Sequence, residues 1–296
     1  MCAQQVEKAF FAGRDGNRLV GDVSGPGSGS PVVFFHGGGQ TRHSWGATAA
    51  ALAEQGWRAY TVDLRGHGES DWAPDGDYTM DAFAGDVQAV ARSLDQPPAL
   101  VGASLGGLAS LSALGRAAGS PGRPLATALV LVDVAPRMEE KGRERIAAFM
   151  LEHMSEGFAS LEEVADAVQR YNPHRPRPSD LSGLRKNLRQ RDGRWYWHWD
   201  PQFVVGRMGS PDETRSSLVD ASELEDAARR LDVPLLVVRG LVSDLLSEEG
   251  ARQLLELVPH AEMATVSGAG HMVAGDRNDL FNDAVVDFLT RSAPAR

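Results

Sequence analysis

The chain has a single cysteine, Cys2, among its 296 residues. One cysteine cannot form a disulfide within the chain or supply a cysteine-based metal site. The longest apolar runs have the length of strands and are too short to cross a membrane. The first residues, MCAQQVEKAFF, lack the basic region and apolar stretch of a signal peptide. We therefore expect a cytoplasmic protein that has no membrane partner.

A basic tract is also missing. The formal net charge is -10, and acidic residues are interleaved with the arginines. This balance argues against a nucleic-acid partner, because binding to a phosphate backbone needs clustered positive charge. The apolar share of 42% supports a large core. The sequence leaves open whether the chain is a monomer or a homodimer.

Short apolar runs alternate with helical patterns along most of the chain. Runs such as Val32–Phe35, Ala99–Ala103 and Pro234–Arg239 are apolar throughout, as strands covered on both faces should be. Stretches such as Thr79–Leu94 repeat apolar residues at helical spacing. The alternation predicts an α/β fold with a doubly wound, mostly parallel, eight-stranded sheet.

The alternation is interrupted between about residues 137 and 225. This stretch shows helical patterns, a proline cluster and an aromatic run, WYWHW, but no clean strand. We predict an α/β core made of residues 1–136 and 226–296, with residues 137–225 inserted as a helical cap.

A candidate nucleophile lies between a predicted strand and a predicted helix. Gly102-Ala103-Ser104-Leu105-Gly106 has the G-x-S-x-G pattern. Small residues two positions to either side of a serine allow a sharp strand-to-helix turn to close, and the turn exposes the serine in a strained conformation. The pattern alone is weak because a serine N-cap in a glycine-rich turn gives the same letters. At a strand-to-helix junction it predicts a catalytic serine, Ser104.

A serine needs a base, and eight histidines are available. His271 follows the last predicted strand in the segment SGAGHM, whose glycines permit a tight loop. A histidine at this place can reach over the nucleophile of a doubly wound sheet. The alternative is a surface histidine in a loop.

The base needs a carboxylate to orient it. Asp244 lies just past the strand Pro234–Arg239, at the edge where such sheets build their sites. Asp133 ends the preceding strand and is the alternative. The chain order Ser104, Asp244, His271 matches the serine, acid, histidine order of one fold, so Asp244 is the predicted acid.

Taken together, the motifs HGGG, VDLRGHGES, GASLGG, GLVSD and GAGHM give a marked resemblance. The chain resembles the α/β-hydrolase superfamily over nearly its whole length. Within it, the chain is similar to the haloperoxidase-like and epoxide-hydrolase-like branch, which includes esterases and lactonases. Ser104 stands where epoxide hydrolases and haloalkane dehalogenases have an aspartate, so those two chemistries are not expected.

This resemblance also explains the three glycines of "FFHGGG". A phosphate-binding loop would end in Gly-Lys-Ser/Thr, and no lysine follows here. Acyl transfer by a serine instead needs two amides aimed at the developing oxyanion. One is expected from Leu105, after the nucleophile, and by resemblance the other comes from Gly38. Gly39 is a weaker candidate, and His36 is expected to support the loop.

Aromatic residues could line the substrate pocket. Trp195, Trp197 and Trp199 lie in the cap, and Trp45 lies near the glycine loop. Packing in a core is the alternative for each of them, and for Trp45 it is at least as well supported.

The resemblance and the residues together predict a serine hydrolase of a small-molecule carboxylic ester, lactone or thioester, without a metal or organic cofactor. Carbon–carbon bond hydrolysis, amide hydrolysis, and cofactor-free oxygenase or perhydrolase activity are alternatives on the same fold. A non-catalytic ligand receptor is a third possibility, and binding without turnover would distinguish it.

Overall fold

A computed structural model of the chain describes residues 6–173, 177, 179–208, 220–271 and 278–292. The strands are β1 (Glu7–Ala12), β2 (Arg18–Ser24), β3 (Pro31–Phe35), β4 (Arg58–Val62), β5 (Ala99–Ala103), β6 (Ala128–Val132), β7 (Leu188–Arg191), β8 (Arg194–Trp197), β9 (Leu235–Gly240) and β10 (Glu262–Val266). Eight of them form one sheet in the order β1-β2-β4-β3-β5-β6-β9-β10. Strand β2 is antiparallel to both of its neighbours, β1 and β4, and the other neighbouring pairs are parallel, so the predicted eight-stranded, mostly parallel sheet is confirmed.

Helices connect most of these strands. In the residues described, the α-helices are α1 (Gly46–Glu54), α2 (Met80–Ser93), α3 (Ser104–Ala117), α4 (Glu140–Leu151), α5 (Leu161–Tyr171), α6 (Pro201–Met208), α7 (Ala221–Arg229), α8 (Glu248–Leu257) and α9 (Asn278–Ser292). Two short 3₁₀ helices span Arg42–Trp45 and Ser182–Asn187. No helix in the described part of the chain is both long enough and apolar enough to span a membrane.

The sheet is buried between two helical layers. Alternate residues of β3 point to opposite faces, as the period of a strand requires. Val33 and Phe35 pack in the core that also holds side chains of α2, α3 and α8. Val32 and Phe34 pack in the other core, with α1 and α9. Burial on both faces explains why the strand sequences are apolar throughout.

The segment inserted after β6, residues 137–208, is called the cap segment below. It is not purely helical as predicted, because β7 and β8 form an antiparallel hairpin within it. The hairpin turn is Asp192-Gly193, and both residues have positive φ angles, 50° and 77°. An Asp-Gly pair is the preferred sequence for such a two-residue turn. The signal was therefore present in the letters RQRDGRWYW, although they lie within a region of helical pattern.

Helix α7 lies across the predicted boundary at residue 226 and packs on the core. A Cβ added to Gly115 of α3 would lie 2.3 Å from the Cβ of Ala227 in α7. The two helices therefore meet closely at a glycine. The division into core and cap at residues 137 and 225 stays a prediction.

The strand order brings four loops to one edge of the sheet. Strands β3, β5, β6 and β9 are neighbours and run parallel. The segments that follow their carboxyl ends therefore meet at a single edge, which is where doubly wound sheets place their sites. These segments carry the glycine loop, Ser104, Asp133 and Asp244.

Candidate active site

Ser104 lies on a sharp turn between β5 and α3. Its φ angle is 45°, in the left-handed region that a residue with a side chain rarely adopts. A Cβ on Gly102 would lie 2.5 Å from the Cα of Gly107, and one on Gly106 would lie 2.4 Å from the carbonyl oxygen of Phe35. Side chains at either position would therefore collide with backbone. This close packing is the physical reason for the glycines of G-x-S-x-G.

His271 pairs with Asp133. The distance from His271 Nδ1 to Asp133 Oδ2 is 2.8 Å, and both side chains are largely buried. Asp133 directly follows β6, as Ser104 directly follows β5, and the last residues of these strands, Ala103 and Val132, are register partners. The nucleophile candidate and the carboxylate therefore extend from adjacent strands at the same height.

The Asp133 carboxylate accepts further hydrogen bonds from the segment after β9. The amide of Gly240 donates to Oδ1 at 3.1 Å, and the hydroxyl of Ser243 donates to Oδ2 at 2.5 Å. With the Nδ1–H of His271, three donors face this buried carboxylate. Such an acceptor holds the imidazole with its proton on Nδ1, which leaves Nε2 free to accept a proton.

The carboxylate that pairs with His271 is Asp133 and not Asp244, the acid predicted from its place after the strand Pro234–Arg239. The Asp244 carboxylate is half-exposed and pairs with Arg145 of α4, with the Nε–Oδ2 distance at 3.0 Å. Strand β6 lies between β5 and β9, so an acid at the end of β6 is central. Asp244 lies four residues beyond the end of β9, where the chain has already turned toward the cap segment. Ser243, rather than Asp244, points at the buried carboxylate.

The glycine loop after β3 lies against the serine. A Cβ on Gly37 would lie 3.3 Å from the Cβ of Ser104, and Gly39 has a φ angle of 75°. The amide of Gly37 donates to Gln40 Oε1 at 3.0 Å, and the amide of Gly39 donates to His67 Nε2 at 3.1 Å. These two amides are therefore already engaged.

Two amides beside Ser104 are not engaged in this way. Within the described ranges, neither the amide of Gly38 nor that of Leu105 donates to another residue. Leu105 is the second residue of α3, where the backbone N–H has no partner within the helix. The two amides predicted to bind an oxyanion are thus both available, whereas Gly39, the weaker candidate, is not.

His36 supports the glycine loop from beneath. It is fully buried, its Nε2 accepts the amide of Leu64 at 3.0 Å, and its Nδ1–H donates to the carbonyl of Gly37 at 2.8 Å. A ring that accepts at one nitrogen must be neutral. Burial, reinforced by the positive charge of Arg42, lowers the pKa of His36 to about 4.

Acid is expected to destabilise the fold through His36. The folded imidazole has a pKa of about 4 against an ordinary 6.5, so the unfolded chain binds more protons between these values. The contribution to the free energy of unfolding is complete above pH 6.5 and is lost as the pH falls toward 4. The loss is on the order of 3 kcal/mol. Urea unfolding at several pH values would measure it. His36→Asn should be less stable at neutral pH but lose less on acidification, and an equal loss in both proteins would contradict the assignment.

Of the four tryptophans predicted to line the pocket, Trp199 lies next to the glycine loop. A Cβ on Gly39 would lie 3.4 Å from Trp199 Cζ3 and 3.3 Å from Met150 Cε. Trp197 stacks on Trp199 with ring centroids 4.9 Å apart, and its Nε1 donates to the carbonyl of Glu152. Trp197 therefore lies one layer further from the loop.

Trp195 and Trp45 lie elsewhere. Trp195 is half-buried in β8, and the guanidinium of Arg185 covers its ring at 5.1 Å. Trp45 is buried between Phe34 and Phe281 in the core beneath the sheet, on the side of α1 and α9. The prediction that Trp45 lines the pocket is therefore not supported, because the side chain points to the face opposite the cap segment.

In the described part of the chain, no three His, Cys, Asp or Glu side chains are grouped to hold a metal ion.

Comparisons with known proteins concern the family and the fold. A family model described as alpha/beta hydrolase fold matches residues 30–277. The esterase Rv0045c of Mycobacterium tuberculosis is 33% identical over 259 residues, which cover 85% of this chain and 80% of that protein. The crystal structure of that esterase has a TM-score of 0.72 at 28% identity, covering 98% of this chain and 92% of its own.

Two further proteins extend the similarity. The 3-hydroxybutyrate-oligomer hydrolase of Cupriavidus necator is 29% identical over 249 residues, covering 81% of this chain and 82% of that protein. The crystal structure of E-2-(acetamidomethylene)succinate hydrolase has a TM-score of 0.81 over 96% of this chain and 99% of its own. At 23% identity, that second likeness concerns the fold alone.

Proposed function

Because the chain belongs to the α/β-hydrolase family, we propose that it is a serine hydrolase that cleaves a carboxylic ester, lactone or thioester of a small molecule through an acyl-enzyme on Ser104. The observation that carries the proposal is the buried pair between His271 Nδ1 and Asp133 Oδ2. Asp133 follows β6, the strand that pairs with β5, and Ser104 follows β5. The 33% identity to an esterase supports the same class of reaction.

In the first half of the reaction, Ser104 Oγ attacks the carbonyl carbon while His271 Nε2 takes the hydroxyl proton. The carbonyl oxygen becomes negative and is stabilised by the amides of Gly38 and Leu105. The positive end of α3, which begins at Ser104, favours the same charge. His271 then gives the proton to the leaving alcohol or thiol, and the bond to the leaving group breaks.

The second half repeats these steps with water. His271 takes a proton from water, the hydroxyl attacks the acyl-enzyme, and collapse of the intermediate releases the acid and returns the proton to Ser104. Throughout, Asp133 keeps the Nδ1 proton of His271 in place and stabilises the imidazolium. Asp133, the alternative acid in the sequence, therefore takes the role predicted for Asp244.

Covalent labelling tests this proposal. A fluorophosphonate is attacked by an activated serine, which displaces fluoride and stays phosphonylated. We expect a single phosphonyl group per chain, located by peptide mass spectrometry at Ser104, with parallel loss of p-nitrophenyl butyrate hydrolysis. Ser104→Ala should take no label, and His271→Ala should label far more slowly because no base remains. A label on any other residue, or rapid labelling without His271, would overturn the mechanism.

A further inference from the structure

Three consecutive peptide groups of the glycine loop are each held by a different histidine. His36 Nδ1 donates to the carbonyl of Gly37, and His67 Nε2 accepts the amide of Gly39 at 3.1 Å. His198 Nε2 lies 3.4 Å from the carbonyl of Gly39. The three imidazole rings lie close together, with centroids 5.2 Å apart for His36–His67 and 5.7 Å apart for His67–His198.

The contacts with the loop carbonyls also set the direction of the Gly38 N–H, the proposed oxyanion donor. In a trans peptide the carbonyl and the following N–H point in opposite directions. The carbonyl of Gly37 is held by His36 and by the amide of Gln40. The N–H of Gly38, in the same peptide plane, is therefore directed away from these partners. The next two peptide groups of the turn are held by His67 and His198.

His198 differs from the other two histidines because it belongs to the cap segment. It lies between Trp197 and Trp199 and is 2% exposed. Its Nδ1 accepts the amide of Gly68 at 2.7 Å, so Nε2 carries the ring proton and donates to Gly39. The ring thus connects the cap segment to two loops of the core. The contact with Gly68 requires the neutral ring, because a protonated Nδ1 cannot accept, and burial lowers the pKa of His198 well below its ordinary value.

We propose that His198 is a positioning residue. By donating to the carbonyl of Gly39, it makes the oxyanion-binding conformation of the glycine loop depend on the packing of the cap segment against that loop. The proposal rests on the proposed function, in which Gly38 donates to the oxyanion. It gives the cap segment a part in the chemical step. A Cβ added to Gly39 would contact Met150 and Trp199 of the same segment, so this glycine lies where the cap segment meets the loop.

Two amide substitutions separate the contacts of His198. A glutamine side chain places its NH₂ near the position of Nε2, so His198→Gln keeps a donor for Gly39 and loses the acceptor for Gly68. An asparagine places its oxygen near Nδ1, so His198→Asn keeps the acceptor for Gly68 and cannot reach Gly39. His198→Ala loses both contacts. His153→Asn is the matched control, because His153 lies in the cap segment, contacts Glu156 and Phe158, and has a φ angle of 56° that asparagine tolerates.

We expect kcat for p-nitrophenyl butyrate to fall about tenfold to a hundredfold in the Asn and Ala variants, with KM changed less than about threefold. His198→Gln should retain kcat to within about fivefold, and His153→Asn should match the wild type. A loss in the Gln variant as large as in the Ala variant, or an unchanged kcat in the Ala variant, would overturn the proposal.

Amide hydrogen exchange provides a readout that does not need turnover. Exchange in residues 36–40 should be faster in the Asn and Ala variants than in the wild type and the Gln variant. This order would support the positioning role even if the wild type hydrolysed no ester, in which case only the proposed function would fail. Equal exchange in all variants would overturn the positioning role whatever the activity.

Discussion

Asp133→Asn is expected to lower kcat about ten-thousandfold while the fold is kept. The amide group has the shape of the carboxylate, and asparagine tolerates the φ angle of 52° at this position. An NH₂ group in place of Oδ2 would face the Nδ1–H of His271 and favour the opposite tautomer. The imidazole would then present a proton, instead of a lone pair, to Ser104.

Asp244→Asn is the matched comparison, with the same chemical change on the half-exposed acid that the sequence analysis favoured. It weakens a surface ion pair with Arg145, and such pairs contribute at most about 1 kcal/mol. We expect kcat to change less than about fivefold. Circular dichroism and thermal unfolding of both variants would confirm that each is folded. If Asp244→Asn were the inactive variant, the acid of the site would be Asp244 and the paired Asp133 would be structural.

Ser104→Ala is expected to reduce kcat by about ten-thousandfold or more, because the acyl-enzyme of the proposed mechanism forms on the removed hydroxyl. Binding of substrate should change little, since the hydroxyl reacts with the substrate and contributes little to holding it. Steady-state hydrolysis of p-nitrophenyl butyrate, with an inhibition constant for the product acid, would separate the two effects. Equal turnover by the variant and the wild type would show that Ser104 is not the nucleophile.

Ser104→Gly adds a test of the strained turn. Alanine keeps a Cβ at a φ angle of 45°, whereas glycine adopts this conformation without steric cost. Both variants should be inactive, but the glycine variant should be more stable than the alanine variant by about 1 kcal/mol. Urea unfolding measures the difference. Equal stability would mean that the elbow stores no strain at this residue.

The family and the sheet could be predicted because their signals are local. Steric demands at Ser104 involve residues two positions away, so G-x-S-x-G is readable from five letters. A strand that is buried on both faces of the sheet has apolar residues throughout, so its own sequence shows the burial. The aspartate-glycine turn of the cap hairpin is equally local, but the helical patterns around it hid the signal.

Contacts between distant parts of the chain could be decided only by the tertiary structure. Asp133 and Asp244 both follow strands, and only the position of β6 between β5 and β9 brings Asp133 to His271. Likewise, no local pattern shows which face of the sheet Trp45 occupies, or that His198 reaches Gly39 from 159 residues away. The sequence by itself determined the fold, the strained serine and the glycine loop, since each depends on neighbouring residues and backbone sterics. The pairing of His271 with Asp133 depends on strand order, and the contact of His198 with the glycine loop depends on how the cap segment packs on the core. No short stretch of sequence encodes either of these.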